Sequence, residues 1–100
     1  MAGVTVLYWR DIPAQVNAKA GRKTAKRQLP ERFQVAIDMA AMRSRAHEAG
    51  SYLEEWRRGD PVECGNDLEK EVVQAATQIE SDYDDARLIQ LIKEGGVDDA

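Results

Sequence analysis

The stretch Val4-Thr5-Val6-Leu7-Tyr8-Trp9 decides the fold. It is β-branched and aromatic, the composition of a strand. Val4, Val6 and Tyr8 fall on one face and Thr5, Leu7 and Trp9 on the other. Both faces carry apolar groups, so this strand is expected at the centre of a sheet. Arg10-Asp11 follows as a turn. Beyond it, Ile12, Ala14, Val16 and Ala18 alternate with Pro13, Gln15, Asn17 and Lys19. That is a half-buried strand paired with the first as a hairpin. Pro13 has no amide hydrogen and belongs at the start or free edge of its strand. Gly21 ends or bends it.

Further along, Pro30 opens a helix from about Glu31 to Glu48, stopped by Gly50. Phe33, Ala36, Ile37, Ala40 and Ser44 form one stripe; Val35, Met39, Met42 and Ala46 form a second, nearly opposite. A helix apolar on two sides has two neighbours, here the sheet and either the next helix or a partner protein. The run Tyr52-Leu53-Glu54-Glu55-Trp56-Arg57-Arg58 alternates as a third strand, and Gly59-Asp60-Pro61 is a turn. Val62-Glu63-Cys64 is a short extended link. Asn66 with Glu69 reads as a capping box, and the helix after it places Leu68, Val72, Ala75, Ala76, Ile79 and Tyr83 on one stripe. Leu88, Ile89, Leu91 and Ile92 are out of phase with that stripe. A break near Ser81–Asp85 is therefore expected, then a separately docked short helix to Glu94, ended by Gly95-Gly96.

The expected fold is α+β with element order β-β-α-β-α. It has a three-stranded, mainly antiparallel sheet in the order 2-1-3, helices on one face and a short C-terminal helix. Residues 1–94 form one domain and 95–100 a frayed tail. Residues 20–30 and 81–100 are the expected mobile parts.

A chain of 100 residues has room for one domain, and 43% hydrophobic with 32% charged residues argues against wholesale disorder. No apolar run is long enough for a membrane span, and the start lacks the basic and apolar regions of a signal peptide. One cysteine allows no internal disulfide. The expected location is the cytoplasm. The net charge of −4 is unevenly spread: residues 1–50 sum to +5 and residues 51–100 to −9. Between Lys19 and Arg32 there are six cations and a single carboxylate, Glu31. Overall acidity opposes binding to nucleic acid or to anionic membranes, but the basic stretch can still hold an anion.

Several stretches carry a resemblance to a known family. They are Val6 to Val16 (VLYWRDIPAQV), Gly21-Arg22-Lys23 with Ala25 to Leu29, Arg32-Phe33-Gln34 with Ala36-Ile37-Asp38 and Ala41-Met42, and Tyr52 to Arg58. They resemble a small bacterial family known only as "virulence factor", specifically from about Val4 to Gly65. Beyond Gly65 the likeness is that of a generic amphipathic helix. The resemblance implies a small cytoplasmic accessory protein, encoded beside methylenetetrahydrofolate reductase and corrinoid methyltransferase components. That in turn implies a role in methyl-transfer or tetrahydrofolate one-carbon metabolism. It assigns no catalytic residue.

The residues themselves offer little catalytic chemistry. One Cys and one His, Cys64 and His47, cannot make a tetrahedral zinc site. Asp82-Tyr83-Asp84-Asp85 resembles half a calcium loop, but Arg87 replaces the required glycine and Lys93 the final carboxylate. Cys64, just before a helix N-terminus, has the position of an activated thiol, yet Glu63 beside it opposes that and no second cysteine exists. A half-buried structural cysteine is the simpler reading. His47 has no nucleophile spaced to it and reads as a surface histidine near a helix end. Glu54 and Glu55, adjacent on a strand, face opposite ways and cannot work as an acid–base pair. Gly21-Arg22-Lys23-Thr24 echoes the end of a phosphate loop without its upstream glycine.

Two features remain as a candidate partner- or anion-binding surface. One is the basic group Lys19, Arg22, Lys23, Lys26 and Arg27. The other is the aromatic set Trp9, Tyr52 and Trp56 beside Arg57 and Arg58. The alternatives to these are a solvated face that keeps the domain soluble and rings that merely shield the strands. The expected function is a non-catalytic accessory protein that binds a larger enzyme, a folate- or corrinoid-dependent methyl-transfer component, without a metal or cofactor of its own. A small nucleic-acid-binding module using the 19–32 stretch and the sheet aromatics is the second reading. A small enzyme or redox protein centred on Cys64 is the third.

Overall fold

The computed structural model describes residues 2–44 and 49–97. Its elements are β1 (Ala2–Trp9), β2 (Ile12–Ala20), β3 (Lys23–Gln28), α1 (Glu31–Arg43), α2 (Ala49–Glu54), β4 (Trp56–Arg58), β5 (Val62–Glu63), α3 (Leu68–Asp82) and α4 (Asp85–Lys93). The α+β class and the antiparallel sheet are as expected. The sheet has five strands rather than three, and its order is β3-β2-β1-β4, with β5 also on β1.

β1 is central. It pairs along its length with β2 on one side, and on the other with β4 at Leu7–Trp9 and β5 at Gly3–Val4. The β1–β2 register slips between Leu7 and Tyr8, where Tyr8 meets Pro13. Pro13 offers no amide to the ladder, so a bulge there removes the mismatch. The residue before the turn, Trp9, then faces Ile12, and both are fully buried.

The third strand was expected over Tyr52–Arg58, but Tyr52 to Glu54 belong to helix α2 and only Trp56–Arg58 is strand. Seven residues of alternation cannot separate strand from helix, and Leu53-Glu54 are good helix formers. Glu54 and Glu55 are therefore not strand neighbours; Glu55 pairs with Arg10 at 3.3 Å.

The segment expected to be a mobile loop over 20–30 is largely strand. Gly21-Arg22 makes a two-residue turn with Gly21 at φ +60°, and β3 returns along β2. Ala25, under the helical layer, is the one buried residue of β3. A strand with one inward anchor at a sheet edge has almost no hydrophobic signature, and its charges suggested a loop.

α1 ends at Arg43, with Ser44 as its C-cap, short of Glu48, and Gly50 lies within α2 rather than ending α1. Phe33, Ala36, Ile37 and Ala40 are buried as expected, whereas Val35, Met39 and Met42 are exposed. Ala46, His47 and Glu48 lie outside the described residues, as does the tail beyond Val97. α3 begins one residue later than the capping box implied: Asp67, not Asn66, is the N-cap and accepts from the Lys70 amide at 3.3 Å.

α4 is where the sequence reading departs most from the structure. Leu88 and Leu91 are 4% and 3% exposed and belong to the same core as Val16, Ile37 and Val72. α4 runs beside and parallel to α1. Arg32 reaches Asp85 where both helices begin, and Arg43 donates to the Lys93 carbonyl where both end. The change of phase at Tyr83 turns the chain from the sheet-covering α3 onto α1 and does not detach it. Arg32 secures the corner, donating to the carbonyls of Tyr83 and Glu80 at the C-terminal end of α3. α4 closes with a Schellman motif, Gly96 N–H to Leu91 O and Gly95 N–H to Ile92 O, both glycines at positive φ.

Candidate partner-binding face

Pairing register sorts the side chains of the sheet. Val4, Val6 and Tyr8 point to the side that α3 partly covers, with Ala18, Val16 and Pro13 opposite them on β2. Gly3, Thr5 and Leu7 point to the other side. There the cross-strand rows are Gly3–Lys19–Thr24, Thr5–Asn17–Lys26 and Arg58–Leu7–Gln15–Gln28. A shallow cavity of about 200 Å3 opens on this side, lined by Lys19, Lys26 and Arg58 with the hydroxyls of Thr5 and Thr24 and the amide of Asn17. Among the described residues no carboxylate and no aromatic ring lines it. Lys19 and Lys26 are diagonal neighbours on adjacent strands, a spacing of about 7–8 Å between backbone positions.

The fold thus separates the basic residues. Lys19, Lys26 and Arg58 converge on the open face. Lys23 and Arg27 alternate to the other side of the edge strand β3, and Arg22 sits at the tip of the β2–β3 turn. None of these six makes an ion pair among the described residues. Arg57 is different. It donates to the Arg10 carbonyl and to Asp11, both at 3.0 Å, and stacks over the Tyr8 ring. Its charge holds the hairpin tip.

The aromatic set does not form an open sheet face. Trp9 is 0% exposed, and its indole N–H donates to the Tyr52 carbonyl at 3.0 Å. Tyr52 packs on Trp9 at 5.8 Å and on Trp56 at 5.9 Å between ring centres. The three rings form a stack that begins in the core and ends half-buried, so Trp9 is closed to any partner. Its burial follows from α2, which lays Tyr52 over it, and from the turn after α4, where Gly96 lies against its ring.

The remaining candidate groups are absorbed by structure. Asp84 caps α4 and Asp85 pairs with Arg32. No group of three or more His, Cys, Asp or Glu residues is placed to hold a metal ion among the described residues. Cys64 is half-buried and its pKa is raised from the ordinary thiol value, first by desolvation and then by the carboxylates of Glu71 and Glu63. That is opposite to an activated thiol. His47 lies outside the described residues. No helix among the described residues is long and apolar enough to cross a membrane.

The sequence flagged the cations but missed Thr5, Asn17 and Thr24, which only the cross-strand register brings beside them. Comparison with curated proteins and with solved structures gives no match in either case. A family model described as "Virulence factor" matches residues 7–92. The match runs from the central strand through both sheet edges and on to the helix that closes the core, well past Gly65. The chain belongs to the Virulence factor family.

Proposed function

We propose that this protein is a non-catalytic accessory protein whose open sheet face holds an acidic surface of a larger enzyme. The observation that carries this reading is the unmatched charge. The chain has 18 Asp and Glu residues, yet among the described residues none of them lines the face that Lys19, Lys26 and Arg58 share. Cations gathered without a counter-charge repel one another, and an external carboxylate surface removes that cost and steers encounter. The Thr and Asn groups between them add hydrogen-bonding capacity for carboxylate oxygens. The absence of rings from this cavity lining disfavours a single-stranded nucleic acid, which needs stacking platforms. The larger enzyme we propose is a methyl-transfer or tetrahydrofolate one-carbon enzyme, on the strength of the family resemblance.

Purified methylenetetrahydrofolate reductase and corrinoid methyltransferase components, a polyglutamate peptide and a mixed-sequence oligonucleotide are the probes. Binding to one of the enzymes and to polyglutamate, weakening with salt and falling about tenfold or more in Lys19→Ala/Lys26→Ala/Arg58→Ala, is the expected result. Unchanged binding in that variant removes the face from the reading. Tighter binding of the oligonucleotide, with a steep salt slope, favours the nucleic-acid module instead.

A further inference from the structure

The opposite side of the sheet holds a second, chemically different feature. α3 lies mainly over β2 and β3, and it leaves the β1 and β5 part of the same face uncovered. The result is a cleft of about 460 Å3. Its floor and walls are Val4, Val6 and Tyr8 of β1, Val62 of β5, and Ala75 and Ile79 of α3. Val62 is 66% exposed, and Val4, Val6 and Tyr8 are only half-buried. Two strands at a spacing of about 4.8 Å make a strip roughly 10 Å wide, about the diameter of one helix. Helices on a sheet pack about 8–10 Å apart, and none of the described helices fills this place.

The rim of the cleft sets the chemistry of what enters. Asp60, Glu63 and Glu71 line it, and none of the three makes an ion pair among the described residues. Glu71 accepts a hydrogen bond from the Gly65 amide at 3.3 Å, which fixes it at the mouth. Among the described residues no lysine or arginine lines the cleft.

We propose that this cleft docks an amphipathic helix of a partner protein, its apolar stripe on the Val4–Val62–Ile79 floor and its Lys or Arg flank against Asp60, Glu63 and Glu71. Charge complementarity chooses the occupant. Among the described helices of this chain, exposed large apolar residues are Leu53 of α2, Val73 of α3, Ile89 of α4 and the three on α1, Val35, Met39 and Met42, so α1 is the helix of a second copy with most to offer. That helix carries Glu31 and Asp38 as well as Arg32 and Arg43, and so lacks a basic flank. The proposal stands on the opposite face from the cationic cavity and does not depend on it.

Cys64, the single cysteine, also lines the cleft and reports on it directly. The probes are synthetic helical peptides of about 18 residues with one leucine stripe and flanks of Lys, Gln or Glu. The Lys peptide should protect Cys64 from iodoacetamide, with affinity in the order Lys, Gln, Glu and at least about a tenfold span at low salt. Val62→Glu, at an exposed position, should abolish protection, and Asp60→Asn/Glu63→Gln should narrow the span. Lys19→Ala/Lys26→Ala/Arg58→Ala should leave protection unchanged, which separates this site from the open face. Absence of protection, equal protection by the Glu peptide, or indifference to Val62→Glu overturns the proposal. Protection that rises with the protein's own concentration, without peptide, assigns the cleft to a second copy and overturns it equally.

Discussion

Gly96 and Gly21 both hold positive φ, at +92° and +60°, but only one is packed. A Cβ on Gly96 would lie 2.8 Å from Cζ3 of Trp9, while nothing lies within 4 Å of one on Gly21. Gly21→Ala therefore carries backbone strain alone, about 1–2 kcal/mol. Gly96→Ala adds overpacking against a fully buried indole, about 1–3 kcal/mol more. Urea denaturation of the two variants should show that gap; equal losses would mean that the Trp9 contact is slack. Arg10, at φ 54°, occupies a conformation that favours glycine. Its guanidinium holds it there through the Gly95 carbonyl at 2.8 Å, the Glu55 carboxylate and the Trp9 ring. Cys64 supplies a pH-dependent readout. Its thiolate is disfavoured by desolvation, Glu71 and Glu63, so alkylation at neutral pH should be slower than for cysteine in an unstructured peptide. The neutral thiol's contribution to stability is present below its unfolded pKa and is lost as pH rises through the raised folded value. Glu71→Gln should speed alkylation at fixed pH; no change would remove that carboxylate as a cause.

α1 tests the difference between its two stripes. Ile37 is 0% exposed and Met42 is 70% exposed. Ile37→Ala should cost about 2–5 kcal/mol and Met42→Ala no more than about 0.5 kcal/mol, measured by chemical denaturation. A loss below about 1 kcal/mol at Ile37 would contradict the helix orientation. The hairpin, the buried stripe of α1 and the α3 stripe were legible because each repeats a period over at least eight residues. β3 was not legible, since Lys23-Thr24-Ala25-Lys26-Arg27-Gln28 has one apolar residue and its pairing depends on β2 being beside it. α2 was not legible because its alternation is too short to carry a period. The cations of the open face could be picked out by charge, but their grouping follows from register. The cleft over β1 and β5 left no local mark, because it depends on how far α3 sits across the sheet.

Two surfaces of the molecule separate their charges: Lys19, Lys26 and Arg58 gather on the open face, and acidic groups surround the apolar cleft on the other, where Lys23 and Arg27 stand at the far edge on β3. Lys23→Ala/Lys26→Ala/Arg27→Ala should leave the thermal midpoint nearly unchanged, since solvated charges contribute little to stability. A midpoint lowered by more than a few degrees would show that these side chains hold β3 in place. A chain ended after Tyr83 loses Leu88 and Leu91 from the core along with the glycines packed on Trp9. It should show no cooperative melting transition, and retention of a sharp one would restore α4 as a detachable element. The contact between the hairpin tip and the C-terminal glycines also sets an order of events during synthesis. Arg10 and Asp11 bond to Gly95 and Gly96, partners some 85 positions downstream. The hairpin is therefore synthesised well ahead of these partners, and the flank of the indole that Gly96 covers stays open until they follow. Until then that flank of the largest core side chain is open to chaperones and to neighbouring chains.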